Sequence, residues 1–231
     1  MRLLARELPE KYKGVLAAAA VLRGAIGIEK TYSQVYDSIS AEIKEKIRSK
    51  YPAYEEISKN QIIQQYRDFF VDKLGLPSGV SPTSETYARK VVANEELATI
   101  NPVVDIGNLV GAFTGFPISV YDADAIGDTL YIRPAEAGEE FLGIGGREPR
   151  ILEGDELVLS SDQNIVCLYP YADGENVKIT AEAKNLLVMV SGIPGVFGLS
   201  LLWALKICVK YLSNLTGGTP ELVLQEGYDE Q

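Results

Sequence analysis

The groups available for chemistry in this sequence are carboxylates, amides and hydroxyls, because the 231-residue chain contains no histidine. A Ser-His-Asp triad, a Cys-His dyad and histidine-ligated zinc are therefore excluded. Cys167 and Cys208 show no metal-like spacing and are predicted to be buried, reduced thiols. Acid–base chemistry would fall to Asp, Glu, Lys, Tyr, water or the substrate itself. We expect neither a metal nor a cofactor.

One group of polar residues could form a site between a helix and the strand after it. Asp105 and Asn108 are three residues apart on a predicted helix and share a face. They would converge with Ser119 and Asp122 if this helix packs on the strand. Such groups suit an ammonium or a ribose hydroxyl. Alternatively, Asp105 and Asn108 bond the neighbouring loop backbone, and spacing alone does not decide between the two.

Three other sets of residues have structural interpretations that we favour. Asp122 and Asp124 are two apart and could bind a metal, but acids at a strand end commonly accept backbone N–H bonds from the next turn. Arg133 and Glu139 are predicted to form a structural ion pair across a turn. The glycines at 143, 145 and 146 do not follow a nucleotide-binding pattern and suit a tight hairpin.

The elements that must position these residues are read from hydrophobic periodicity. Helical spacing predicts helices over Ser33–Lys50, Asn60–Leu74, Ser81–Asn94, Asn101–Gly115 and Val196–Leu212. Short apolar runs predict strands within Gly14–Gly27 and at Ile118–Tyr121, Thr129–Arg133, Phe141–Ile144, Glu156–Leu159, Ile165–Tyr169, Val177–Ile179 and Leu186–Val190. Helices around a block of short strands predict an α+β fold.

Two segments near the end of the chain need separate interpretation. Asn185–Leu205 has no charged residue, but Ser191–Gly195 (SGIPG) breaks it, so a strand, a turn and a helix are predicted instead of a membrane span. The tail after Thr216 is glycine-rich and acidic and is expected to be frayed.

No secretory signal is recognised at residues 2–13, and we expect a cytoplasmic protein.

The charge of the chain is −10, and residues 101–231 hold the negative excess. Neither DNA nor a membrane is an expected partner of such a surface. One set of basic side chains could bind phosphate groups. It comprises Lys44, Lys46, Arg48, Lys50, Lys59 and Arg67. We favour a solvated helix face with i,i+4 pairs such as Glu42–Lys46.

The order of motifs from Asn101 to about Val190 carries a family resemblance. It includes Val104-Asp105-Ile106 with Asn108, Gly115-Phe116-Pro117, Tyr121-Asp122 with Asp124, Leu130–Arg133, Gly138-Glu139, Leu157–Leu159 with Asp162, and Thr180 with Lys184–Leu187. This stretch resembles the B3/B4 editing domain of the bacterial phenylalanyl-tRNA synthetase β-subunit, in its stand-alone form. The resemblance implies a β-rich core, a sandwich of unusual topology, with flanking helices and a helical segment at its N-terminal side.

The resemblance also implies an activity, which is hydrolysis of the aminoacyl ester at the 3′ end of a mischarged tRNA. The family's pocket asparagine falls on Asn108, its pocket histidine on Ser119, and its specificity glutamate on Met189, so two of the three positions depart. Catalysis in the family looks substrate-assisted, with a ribose hydroxyl and water transferring the proton. Asn108 and Ser119 are the candidate catalytic residues. The candidate substrate-binding residues are Asn101, Asp105, Asp122 and Met189.

The whole chain is expected to form a single B3/B4-like domain. Residues 1–100 would be its mainly helical part, residues 101–190 its β-rich core, and residues 191–231 a C-terminal helix and tail. The expected partner is the aminoacylated 3′ end of tRNA, with hydrolysis in trans. The alternative is a non-catalytic module that binds a free amino acid or a similar small molecule, which the acidic composition fits better.

Overall fold

The computed structural model describes residues 1–28, 33–223 and 225–226. Helices and sheets both contribute to it, which confirms the predicted α+β class. The helices of the described chain are α1 (Gln34–Lys50), α2 (Tyr54–Ser58), α3 (Gln61–Asp72), α4 (Thr83–Val92), α5 (Pro102–Thr114) and α6 (Gly198–Thr216). All but α2 were predicted from periodicity.

The strands form two larger sheets and one hairpin. They are β1 (Arg2–Ala5), β2 (Leu16–Arg23), β3 (Ile118–Asp122), β4 (Thr129–Pro134), β5 (Glu140–Phe141), β6 (Arg150–Ile151), β7 (Leu157–Ser161), β8 (Ile165–Leu168), β9 (Ala172–Asp173), β10 (Leu186–Gly192), β11 (Thr219–Val223) and β12 (Gln225–Glu226). The first sheet has the order β12-β1-β4-β7-β8-β9, and the second has the order β11-β2-β10-β3. Strands β5 and β6 pair only with each other.

The two large sheets pack face to face. The Tyr169 hydroxyl, just after β8, lies 2.8 Å from the carbonyl oxygens of Leu16 and Gly192, which joins the first sheet to β2 and β10. Helices α5 and α6 cover the other face of the second sheet, against β3, β2 and β10. Since successive strand residues alternate between faces, each strand of the second sheet supplies side chains to both layers.

The ends of α5 are fixed by local chemistry, and this helix carries most of the predicted site. Asn101 Oδ1 accepts a hydrogen bond from the Val104 N–H at 2.9 Å, which caps the first turn. Gly115 ends the helix with φ of 96°, a left-handed conformation that costs glycine least. Lys50 Nζ donates to the Phe113 carbonyl at 2.7 Å, and burial lowers the pKa of this amine to about 8.

Three expectations about the strands are wrong. Glu175–Val177 is a 3-10 turn, so no strand spans Val177–Ile179. Strand β5 stops at Phe141, because the chain then turns to contact β9. The tail is not frayed immediately after Thr216, since β11 pairs with β2 through residues such as Leu222 and Ala20. Residues 224 and 227–231 of the predicted tail lie outside the described chain.

The apolar stretch Asn185–Leu205 forms β10, a turn and the start of α6, as predicted. The described helices include none with the length and hydropathy required to cross a membrane. Cys167 and Cys208 are buried and unbonded, which confirms their assignment as free thiols.

A buried carboxylate, Glu85, joins α3 to α4. Its side chain is fully buried, and its oxygens accept from Arg67 Nε at 2.5 Å and from Arg89 Nε at 2.7 Å. The preceding residue, Ser84, donates a hydrogen bond to the Gly115 carbonyl at 3.0 Å, which connects α4 to the end of α5. These bonds fix the helix that faces the candidate site.

We expect Glu85→Gln to lower the free energy of unfolding by about 1.5–3 kcal/mol, because the amide cannot accept both charged partners equally. Urea denaturation of both proteins measures the difference. Glu56→Gln, which removes an exposed partner of Lys59, should change the free energy by no more than about 0.5 kcal/mol. Equal effects of the two substitutions would contradict the structural role of Glu85.

Candidate functional site

A cavity of about 270 Å³ lies at the free edge of β3, between α5 on one side and the segment after β9 on the other. This volume is near the lower end for small-molecule sites, which begin at roughly 300 Å³. The residues that line the cavity are Thr83, Tyr87, Ile100, Asn101, Val104, Asn108, Ile118, Ser119, Val120, Tyr121, Ile144, Asp173, Lys178 and Ile179. Most are apolar or uncharged, so the few polar groups would orient a ligand.

Backbone groups of β3 contribute to the cavity because, in the part of the chain that the structure describes, this strand pairs only with β10. The Ala123 N–H donates to the Asn185 carbonyl at 2.9 Å, and the Ser191 N–H donates to the Pro117 carbonyl at 3.2 Å. Bonded pairs alternate in an antiparallel ladder, so odd-numbered β3 residues bond β10. The N–H and C=O groups of Ile118 and Val120 therefore point to the free edge, where the described chain offers them no backbone partner.

Two helices supply the amide and phenol at one side of the cavity. Asn108 extends from α5, and Tyr87 extends from α4 beside it. Burial, and then the charge of the nearby Asp105, raise the pKa of the Tyr87 hydroxyl, while its hydrogen bond with Asn108 acts in the opposite direction. The two side chains thus form one polar surface at the apolar wall.

Three side chains meet on the opposite side of the cavity. Ser119 Oγ donates to Asp173 Oδ1 at 3.1 Å, and the Tyr121 hydroxyl donates to the same oxygen at 2.6 Å. Ser119 and Tyr121 are two apart on β3 and share the face that looks toward the first sheet. The Asp173 carboxylate is thereby held in one orientation by two neutral donors.

The backbone around Asp173 is fixed by pairing on both sides. Asp173 pairs with Cys167 of β8, and its carbonyl accepts from the Ile144 N–H at 2.9 Å. The following Gly174 approaches β8 so closely that a Cβ there would lie 2.8 Å from the Val166 carbonyl oxygen. The carboxylate therefore stands on a packed element and not on a free loop, as precise sites require.

Burial determines the electrostatics of this group. Desolvation raises the pKa of Asp173, and the bonds from Tyr121 and Ser119 act in the opposite direction. Burial, and then the Asp173 charge, also raise the pKa of Tyr121. The pKa of the Cys167 thiol is raised chiefly by burial and lies far above neutrality. This thiol is therefore a poor nucleophile. Asp173 is the only carboxylate among the described residues that line the cavity.

The structure brings three of the predicted site residues to this cavity: Asn101, Asn108 and Ser119. Met189 lies opposite Ser119 on β10 but is fully buried between the sheets and does not line the cavity. Neither of the two predicted acids, Asp105 and Asp122, lines the cavity. Asp105 lines a neighbouring recess, and its carboxylate accepts a hydrogen bond from the Ile100 N–H at 3.0 Å. The predicted convergence of Asp105 and Asp122 with Asn108 and Ser119 is therefore not observed.

The Asp122–Asp124 pair has the structural role that we favoured. Asp122 Oδ1 accepts from the Asp124 N–H at 3.0 Å, and Asp124 Oδ1 accepts from Asn185 Nδ2 at 2.8 Å. Burial raises the pKa of Asp122. Within the described ranges, no group of three or more His, Cys, Asp or Glu side chains could hold a metal ion.

Sequence reasoning missed Asp173. An acid followed by glycine is a common turn signal, and it gives no indication that the side chain reaches a cavity. The contact of Asp173 with β3 cannot be inferred from local pattern, because Asp173 lies more than fifty residues after Ser119 and Tyr121.

A larger recess of about 530 Å³ lies on the first sheet, and it contains none of the residues predicted for the site. Arg133 donates to Glu139 at 2.6 Å, which confirms the predicted ion pair, and Glu175 pairs with Lys178. We therefore place the candidate site at the smaller cavity.

The basic set predicted on the helices is also largely paired. Lys46 donates to Glu42 at 2.7 Å, as predicted, and Arg48 donates to Asn94 Oδ1 at 3.0 Å. Lys59 pairs with Glu56 at 2.7 Å, and Arg67 bonds the buried Glu85. This pattern is typical of a solvated helix surface.

Comparison with known proteins identifies one family. A model of the B3/4 domain matches residues 65–197, more than half of the chain. The phenylalanine–tRNA ligase β-subunit of Geobacter metallireducens is 36% identical over 110 residues, which cover 47% of this chain and 14% of that protein. The corresponding subunit of Cutibacterium acnes is 34% identical over 89 residues, which cover 38% of this chain and 10% of that protein. The matches thus span only a small part of these relatives.

The fold has a counterpart among solved structures. An N-terminal fragment of the phenylalanyl-tRNA synthetase β-subunit from Pyrococcus horikoshii matches with a TM-score of 0.50 and 15% identity. The match covers 98% of this chain and 52% of that one. At this identity the likeness concerns the fold alone.

We expect Asp173→Asn to raise the melting temperature at neutral pH. The folded-state pKa of Asp173 is raised, so the ionised carboxylate destabilises the folded protein. This penalty is absent below the unfolded pKa of about 4 and grows as pH rises through the folded pKa. Asparagine keeps an oxygen that can accept from Ser119 and Tyr121.

Thermal melts of both proteins between acidic and neutral pH measure this effect. The advantage of the variant should shrink as the pH falls. Asp162→Asn, at an exposed position outside the cavity, removes the same formal charge and serves as the control. A lower melting temperature for Asp173→Asn across the whole range would contradict the prediction.

Proposed function

The chain belongs to the B3/4 domain family, and we propose on this premise that it is an editing-like protein that binds the aminoacylated 3′ end of tRNA. Its proposed reaction is hydrolysis, in trans, of the ester of a mischarged tRNA. The observation that carries this proposal is the cavity at the α5–β3 junction, which contains both Asn108 and Ser119.

Two side chains of the cavity and the free edge of β3 have roles in the proposed reaction. The Asn108 amide donates to the ester carbonyl or to a ribose hydroxyl. Because Ser119 gives its hydrogen to Asp173, its oxygen lone pairs are available to accept from a water molecule. The N–H groups of Ile118 and Val120 at the free strand edge are donors of the type that stabilise an oxyanion.

The proposed step needs no imidazole. The water oxygen forms a bond to the ester carbonyl carbon, and the bond from that carbon to the ribose oxygen breaks. One water proton is transferred to the ribose oxygen, with the neighbouring ribose hydroxyl as relay. The protein contributes orientation, which can lower the barrier of a well-aligned reaction by roughly 7–11 kcal/mol.

The charge of the chain limits how tRNA could be held. The net charge is −10, and most of the clustered basic side chains are paired within the protein. The expected affinity therefore comes chiefly from the terminal aminoacyl-adenosine and not from many phosphate contacts. Such binding would show a shallow dependence on salt concentration.

The alternative function is a non-catalytic module for a free amino acid. The acidic surface favours it, as do Ser119 and Met189 in place of the histidine and glutamate that the family resemblance implies. The two functions share the cavity and differ in the reaction.

We expect Asn108→Ala to lower kcat/KM for deacylation by about a hundredfold or more, because a donor to the reacting ester is lost. The assay screens purified protein against correctly and incorrectly charged tRNAs. Asn214→Ala, on the exposed face of α6, is the matched control and should retain full activity.

Unchanged turnover in Asn108→Ala would overturn the assignment of the cavity. No turnover of any charged tRNA, together with a thermal shift caused by a free amino acid, would favour the binding module. No turnover and no thermal shift with any of the amino acids would exclude both proposed functions.

A further inference from the structure

The Asp173 carboxylate has an unused acceptor oxygen. Both of its hydrogen bonds, from Ser119 and Tyr121, end on Oδ1. Among the described residues no group donates to Oδ2. Because Asp173 lines the cavity at the free edge of β3, a bound molecule can reach this side chain.

Within the described ranges, no cationic side chain neutralises this carboxylate. The cavity's one cationic lining residue in the described chain is Lys178, whose ammonium pairs with Glu175. No described Lys or Arg forms an ion pair with Asp173. Partial burial of a carboxylate without a counter-charge disfavours the folded state, so a neutral residue here would make the fold more stable. Such an arrangement is typical of a group that is retained for a ligand.

Further acceptors belong to residues that line the same cavity. The C=O groups of Ile118 and Val120 point to the free edge of β3, and the Ser119 oxygen keeps lone pairs after it donates to Asp173. A primary ammonium carries three N–H donors, which match one carboxylate oxygen and two neutral acceptors.

The other acids that the sequence predicted for this role already accept hydrogen bonds within the protein. Asp105 is buried and bonds the Ile100 N–H, and Asp122 bonds the Asp124 N–H. Neither lines the cavity.

We propose that Asp173 is the specificity residue that binds the α-ammonium of an amino acid or aminoacyl group in this cavity. The inference rests on the proposed function for the identity of the ligand. It also sets the substrate class: amino acids and aminoacyl esters with a free amino group are accepted, and those with an N-acylated amino group are rejected. N-acylation removes the positive charge and places a bulky group against the carboxylate.

The first test compares an aminoacyl-tRNA that the wild-type protein hydrolyses with the same tRNA after N-acetylation of its amino acid. Wild-type kcat/KM should be about tenfold to a hundredfold higher for the free amine, the range expected of a hydrogen bond to a charged group. Asp173→Asn should lose this factor on the free amine and keep the rate on the N-acetyl form. Asp162→Asn should behave as wild type.

A second test does not depend on catalysis. Thermal shifts are measured with the amides of the twenty common amino acids and with their N-acetyl amides. A rise in melting temperature with at least one amide, absent with its N-acetyl form and absent in Asp173→Asn, supports the inference even if no ester is hydrolysed. The melts themselves report whether the variant is folded.

The outcomes separate this inference from the proposed function. Hydrolysis of both esters at similar rates by the wild-type protein would keep the deacylase and overturn the role of Asp173. Hydrolysis with equal discrimination in Asp173→Asn would do the same. Neither hydrolysis nor a thermal shift with any amide would overturn both.

Discussion

The antiparallel pairing of β3 with β10 is the constraint on which the candidate site depends. Its register places Ser119 and Tyr121 toward the first sheet and Ile118 and Val120 toward α5. A shift by one residue would exchange these faces and remove both donors from Asp173. Because β3 has no second neighbour among the described strands, the same pairing also leaves backbone donors and acceptors at the cavity. One strand thus supplies side chains and main chain to the site.

The site combines rigid support with an unfavourable charge. Asp173 stands on paired strands, with Gly174 pressed against β8, and Glu85 holds α4 on the other side of the cavity. Glu85 is fully buried and Asp173 is partly buried, and the two acids differ in their partners. Glu85 meets two guanidinium groups, whereas Asp173 meets only hydroxyls within the described chain. Among the described residues, cations neutralise Glu85 and none neutralises Asp173, which gives the fold a local cost at the cavity, and such costs concentrate where ligands bind.

The chain keeps one of the three pocket positions that the family resemblance implies, and the geometry shows what the two departures do. Ser119 still faces the cavity, but its hydrogen is committed to Asp173. Met189 lies on the same face of the sheet, directly across from Ser119, and is sealed between the sheets. The carboxylate that reaches the cavity beside Ser119 belongs to Asp173, which is contributed by a different sheet. The cavity therefore differs in chemistry from the pocket that the resemblance implies.

The sequence by itself determined what depends on neighbouring residues. Asn60 and the periodic residues after it defined α3, and Gly115 ended α5 as expected, because caps and periodicity act within a few residues. Motif order over about ninety residues also identified the family. The tertiary structure alone decided which acid enters the cavity. The carboxylates of Asp105 and Asp122 accept hydrogen bonds from nearby backbone N–H groups. Asp173 belongs to an Asp-Gly pair that resembles a turn, and it contacts β3 only because two sheets pack face to face. Contacts between residues this distant in sequence follow from packing, which no local pattern specifies.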